Sequence, residues 1–230
     1  MKKIFILFFA FMICTQAKAQ FTTGQKFIGG SFYTNFNNLK AKYSDLKTND
    51  YEHNIAISLG RFVKDNKAVG WTLRNNLSLA NRDGFDMDTK ALRNLGVGVD
   101  RFLEFHKPIG TKFSVYVSPS VGLTYNLTNT YTTSNDVVIM ETQTNKLTVG
   151  ASLGAGIVWK VAPKWALYGN FAFINPVNIS GLRGDTENYL VQSSQGGNLK
   201  TKTTAFDYSF SPSLSSGSIG LGFRYFPALK

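Results

Sequence analysis

Phe113-Ser114-Val115-Tyr116-Val117-Ser118-Pro119-Ser120-Val121-Gly122-Leu123-Thr124-Tyr125 alternates in character with a period of two. Phe113, Val115, Val117, Val121, Leu123 and Tyr125 fall on one face, and Ser114, Tyr116, Ser118, Ser120, Gly122 and Thr124 on the other. A β-strand sends successive side chains to opposite sides, so this segment is a strand between an apolar medium and a crowded or polar one. The same alternation occurs in eight runs, at about 26–37, 51–63, 68–80, 92–104, 112–126, 147–160, 165–175 and 214–226. Examples are Trp71, Leu73, Leu77 and Leu79 against Gly70, Thr72, Arg74 and Asn76, and Leu221, Phe223 and Tyr225 against Gly220, Gly222 and Arg224.

A soluble sandwich has the same periodicity. Three features favour a barrel in a membrane. Connections alternate between tight ones, at 64–67, around His106-Lys107-Pro108 and at 161–164, and long ones, at about 38–50, 81–91, 127–146 and 176–213. Short turns on one side and long loops on the other are the habit of outer-membrane barrels. Aromatic residues cluster near both ends of the apolar faces: Trp71, Phe113, Trp159, Trp165 and Tyr225 at the turn end, Phe36, Tyr51, Tyr125 and Phe173 at the loop end. Two such girdles about 25 Å apart anchor a barrel at both interfaces. Finally, the opposite face is rich in glycine, at 60, 70, 96, 98, 122, 150, 154, 156, 220 and 222. Glycine weakens a strand unless something must come close, and the interior of an eight-stranded barrel is that narrow. There the glycines make room for Tyr116, Tyr168 or Phe102. The expected fold is an all-β, eight-stranded antiparallel transmembrane barrel, an up-and-down meander with its first and eighth strands adjacent.

The chain opens with Met1-Lys2-Lys3, an apolar stretch through Ile13, and Ala17-Lys18-Ala19-Gln20. A basic start, a short apolar core and an A-x-A site read as a signal peptide over 1–19. The apolar stretch falls short of the about 20 residues that a membrane helix needs. The barrel domain then occupies 20–230, and Cys14, the single cysteine, leaves with the signal. The expected location is the outer membrane.

The net charge of +11 raises the possibility of nucleic-acid binding, but its distribution argues otherwise. On this topology the turn end carries Lys26, Arg61, Lys64, Lys67, Arg101, Lys107, Lys112, Lys160, Lys164, Arg224 and Lys230, against Asp65, Asp100 and Glu104. That excess suits anionic headgroups, and Arg61 and Arg101, on the lipid-facing phase, can snorkel to phosphate. No basic groove with interleaved exposed aromatics is present, so no nucleic-acid partner is expected.

Gly60-Arg61-Phe62-Val63-Lys64-Asp65-Asn66-Lys67-Ala68-Val69-Gly70 resembles a recurrent strand–turn–strand feature of the Bacteroidetes outer membrane protein β-barrel domain family, which are small OmpA- and OmpX-like eight-stranded barrels. Arg61 stands where that family usually has Tyr. Val97-Gly98-Val99-Asp100-Arg101-Phe102 and Gly220-Leu221-Gly222-Phe223-Arg224-Tyr225-Phe226 are similar to it as well. The resemblance implies shape and location, not activity. It also implies the barrel insertion machinery as a partner, reading the C-terminal strand. Tyr225 holds the required phase with Phe223 and Leu221, and Phe226-Pro227-Ala228-Leu229-Lys230 extends beyond it, so either the signal tolerates a tail or Phe226 is read in a shifted register.

Chemistry is sparse. His53 lies at the external end of the second run on the lipid-facing phase, where a lipid-modifying enzyme would need a serine and a carboxylate within reach. No such spacing surrounds it, and Glu52 points the other way. His106 reads as a solvated turn residue. Two separated histidines make a transition-metal site improbable. Asp83, Asp86 and Asp88 resemble a calcium loop in composition but not in spacing. No catalytic, cofactor or metal site is therefore expected. Arg74, Asp100, Glu104 and Arg224 fall on the small-residue phase, and isolated buried charges are costly, so these four are expected to form a polar network in the lumen, with Tyr116 and Tyr168. The expected function is a non-enzymatic membrane scaffold with a plugged lumen, in contact with outer-membrane lipids and offering external loops to surface partners. The alternatives are a lipid-modifying enzyme at the rim near His53 and a narrow pore for small hydrophobic molecules.

Overall fold

The computed structural model describes residues 20–40, 47–83, 92–134, 137–192, 196–210 and 220–227. The signal-peptide residues and most of the acidic stretch 83–88 lie outside them. The described strands are β1 (Lys26–Lys40), β2 (Lys47–Lys64), β3 (Lys67–Asp83), β4 (Leu92–Ile109), β5 (Phe113–Ser134), β6 (Val137–Ala162), β7 (Trp165–Gln192), β8 (Asn198–Phe210) and β9 (Gly220–Tyr225). From β1 to β7, each strand pairs antiparallel with the next. β8 pairs with the upper part of β7 and β9 with its lower part, so together they form the eighth stave. β9 closes the ring on β1, with Ile28 opposite Tyr225 and Ser31 opposite Gly222. The result is a closed, eight-stranded antiparallel barrel with meander topology.

Closure satisfies the backbone groups that an open edge would leave bare in lipid. The outer surface carries the apolar phase: Leu73, Val121, Leu147 and Leu221 are all exposed, Leu221 at 71%. Only a lipid phase covers such a surface without cost, which makes this a membrane-embedded barrel. The inner phase carries the buried residues, including Phe62, Phe102, Tyr116 and Arg224. The glycines lie where expected. A Cβ at Gly70 would strike the Phe102 ring, one at Gly156 the Tyr116 ring, and one at Gly222 the Tyr168 ring.

The strands are longer at the loop end than the alternation indicates. The expected loop 176–213 is mostly strand, with β7 running to Gln192 and β8 returning from Asn198. Likewise β5 continues to Ser134 and β6 begins at Val137, within the expected loop 127–146. Above the lipid both faces of a hairpin meet water. The hydrophobic period therefore disappears, while threonine and tyrosine still favour extended backbone. Thr142 facing Thr186 across β6 and β7 is one such pair.

One irregularity bears on the lumen. The β4–β5 ladder lapses between the pairs Phe102–Ser120 and Phe105–Val117. Pro119 sits in this gap and has no N–H to donate. Glu104 lies on the facing strand.

Candidate functional site: the barrel interior

The interior is layered. At the turn end, aromatic rings pack across the barrel. Phe21 stacks on Phe62 with centroids 4.7 Å apart and planes inclined by 11°. It meets His106 edge-on at 4.9 Å and Phe226 at 5.6 Å. Phe27 joins Phe62, Phe102 and Phe226 at 5.8, 6.2 and 6.2 Å. Phe21, Phe27, Phe62 and Phe226 are all essentially inaccessible.

Residues 20–25 are bound to this base through their backbone. The Gln20 and Phe21 amides both donate to the side-chain oxygen of Asn66, and the Asn66 amide donates back to the Phe21 carbonyl. Asn66 holds a left-handed φ of 60°, a conformation asparagine tolerates better than most residues. Its own carbonyl accepts from the His106 amide, and Asp65 accepts from both the amide and hydroxyl of Thr23. The Lys160 ammonium lies 5.7 Å from the centre of the Phe21 ring.

Above this base lies a buried ion pair. Arg224 reaches Glu104 through both terminal nitrogens, at 2.7 Å each, a bidentate fork. Both side chains are almost wholly buried. The guanidinium carbon also sits over the rings of Phe27, Tyr168 and Tyr116, at 4.7, 4.8 and 5.5 Å. His106 Nε2 is 3.1 Å from the same carboxylate and Nδ1 is 3.4 Å from Ser114 Oγ. Tyr116 donates to the side-chain oxygen of Asn170.

Arg74 pairs with Asp100 further toward the loop end, with Nε 2.7 Å from Oδ2 and Nη2 2.7 Å from Oδ1. This pair is wetter, the Arg74 side chain being 52% exposed. Around and above it lie two adjoining cavities of about 350 and 260 Å³ that share Arg74, Asp100, Ser152 and Asn175. Serine, threonine and asparagine supply half of their remaining lining. The four residues expected to form one network thus stand as two separate pairs, Arg224 with Glu104 and Arg74 with Asp100.

One expectation needs correction. His106 is buried, at 8% exposure, and held between Glu104, Ser114 and aromatic rings, so it is not a solvated turn residue. The reason is register: His106 stands opposite Tyr116, on the inward phase shared with Glu104. Phe226, the first residue beyond β9, turns inward and is buried, its amide donating to the Lys164 carbonyl. Phe21 and Phe27 are absent from the residues the sequence singles out. Phe27 is signalled by its phase opposite to Ile28 and by Gly60 across β2, where a Cβ would meet its ring. Phe21 belongs to no strand, so no periodicity marks it.

At the rim, His53 lies 3.0 Å from the Tyr51 hydroxyl and 2.9 Å from Asn75 Oδ1, through its two ring nitrogens. Both partners are neutral and neither is a nucleophile of the serine type. Outside, Arg101 lies 5.1 Å above the Trp71 ring, holding its charge at the lipid boundary. The side chains of 171–173, including Phe173 of the expected outer girdle, lie outside the described residues.

An apolar exterior and a polar, ion-paired interior define the class, a membrane-spanning β-barrel. Among solved structures the chain is similar to the outer membrane protein OprG from Pseudomonas aeruginosa, at 14% identity and a TM-score of 0.45, covering 90% of this chain and 99% of that one. It is also similar to a major outer membrane protein from Thermus thermophilus, at 14% identity and a TM-score of 0.46, covering 88% and 99%. The translocator domain of the autotransporter NalP from Neisseria meningitidis is more distant, at 9% identity and a TM-score of 0.30, covering 88% of each chain. No family profile and no curated protein sequence matches the chain.

Proposed function

We propose that this chain is a non-enzymatic outer-membrane scaffold whose lumen is sealed at the periplasmic end and whose external hairpins serve as contact surfaces. The observation that carries this reading is the packed base, with Phe21, Phe27, Phe62, His106 and Phe226 in mutual ring contact below the Glu104–Arg224 pair. Passage of a solute would require these rings to separate and a buried ion pair to open. The polar lining above the base suits water rather than a hydrophobic permeant, which counts against a conduit for apolar molecules. The neutral partners of His53 count against acyl-transfer chemistry at the rim. On the outer side, β5 to β8 rise past the last apolar row and present Thr, Asn, Lys and Glu to the surroundings, a surface suited to protein or glycan partners. The C-terminal strand β9 would engage the insertion machinery, Phe226 being withdrawn and Tyr225 left as the outward aromatic.

The test is conductance of the full chain, purified and inserted into planar bilayers of phosphatidylethanolamine and phosphatidylglycerol. A quiet baseline is expected. Steady conductance at moderate voltage would refute the sealed base.

A further inference from the structure

One row of outward-facing residues crosses four strands near the loop end: Tyr125, Leu147, Gly181 and Phe206, paired in that order. The row beneath it, Leu123, Val149, Ile179 and Tyr208, is fully apolar or aromatic. The row above holds Leu127, Asn145, Arg183 and Thr204, polar on three of its four strands. The boundary between lipid chains and headgroups therefore runs between Gly181 and Arg183.

Gly181 is anomalous at this boundary. Its φ is not in the left-handed region, so its backbone accepts any residue. A Cβ there would meet nothing within 4 Å, whereas the other strand glycines with described surroundings all have a neighbour inside that limit. A strand glycine without a close neighbour is a cost with no return inside the protein. What it leaves is a shallow, open groove on the outer face, bordered by Tyr125, Leu147 and Phe206. Phe206 stands 74% exposed along one side. Asn145 and Arg183 close the upper end, and the Tyr125 hydroxyl donates to Asn145.

We infer that this groove binds one phosphorylated glycolipid of the outer leaflet, an acyl chain lying across Gly181 and a headgroup phosphate meeting Arg183. Charge complementarity selects the occupant. The Arg183 side chain is 62% exposed and only loosely held by Asp185, Nε to Oδ2 being 3.9 Å, so its fork remains open to a phosphate. Asp185 faces Lys202 across β8, which offsets its charge. Among the described residues the apolar walls stand exposed, and at this depth an acyl chain is the apolar group in reach.

The experiment compares full-length protein refolded into phosphatidylcholine vesicles containing lipid A or its dephosphorylated form, with bound lipid read by native mass spectrometry after gentle extraction. The wild type is expected to retain one lipid A and to prefer it over the dephosphorylated form by about tenfold, the worth of one charge-assisted contact. Gly181→Leu fills the groove and should abolish retention of both. Arg183→Gln should lose the preference while still holding the acyl chain, and Arg183→Lys should restore part of it. Folding of each variant is checked by heat-modifiable gel mobility. Equal retention by wild type and Gly181→Leu would overturn the inference, because the lipid would then be an unspecific annulus. So would a dimer mass that Gly181→Leu removes, since the groove would then seat a second copy of the chain.

Discussion

Replacing Glu104 with Ala is the sharpest probe of the interior. The carboxylate accepts two hydrogen bonds from Arg224 at 2.7 Å and lies 3.1 Å from His106. The two charged side chains are 6% and 5% exposed. Removing the carboxylate leaves a guanidinium enclosed by Phe27, Tyr116 and Tyr168, whose ring faces attract it but cannot replace a counter-ion. Breaking one side of a buried pair costs about 3–5 kcal/mol. Urea unfolding of vesicle-inserted protein, followed by the fluorescence of Trp71, Trp159 and Trp165, should show a loss of that size. The double variant Glu104→Leu with Arg224→Met removes both charges and should regain most of it, since an apolar replacement of a buried pair is often neutral or stabilising. A single-variant loss below about 1 kcal/mol, the range of exposed ion pairs, would refute the reasoning, because it would mean that water reaches Arg224 from above or below.

Arg74→Met is expected to cost about 1–3 kcal/mol in the same unfolding assay, less than Glu104→Ala, because it leaves the Asp100 carboxylate, 12% exposed, without its counter-ion but beside a cavity that water can enter. Phe21→Ala should cost about 3 kcal/mol, as buried Phe truncations do, and should bring brief current flickers in planar bilayers where the wild type is expected to be silent. Shortening the β7–β8 hairpin by removing residues 187–200 and joining the ends with a two-residue turn should leave heat-modifiable mobility intact. The removed pairs lie beyond the last apolar row.

The barrel is legible because lipid writes a period of two on every stave it touches. Leu221 and Phe223 against Gly220 and Gly222 show this as plainly as the fifth strand does. The same mechanism explains what is not legible. Above the membrane the signal ends though the hydrogen bonding does not, so 176–192 and 198–210 read as loop. In the lumen, phase places Arg74, Asp100, Glu104 and Arg224 inside. Which acid meets which base depends on stagger between strands distant in sequence: Glu104 and Arg224 are 120 residues apart. His106 misleads because its proximity to a turn suggests water, while its register opposite Tyr116 places it among rings. Phe21 depends wholly on tertiary contact, having neither strand nor period to announce it.

The rings of Phe21 and Phe226 lie 5.6 Å apart, so the two ends of the folded domain meet at a single point beneath the barrel. In sequence terms the barrel is almost a circle. A short peptide joining residue 227 to residue 20, with new termini opened between Gln192 and Asn198, would preserve every described strand pairing among β1 to β7 and β9. Such a permuted chain would begin with β8 and finish on β7, so its last strand would no longer be β9. It would therefore separate two features that β9 combines here, closing the ring on β1 and standing as the last described strand.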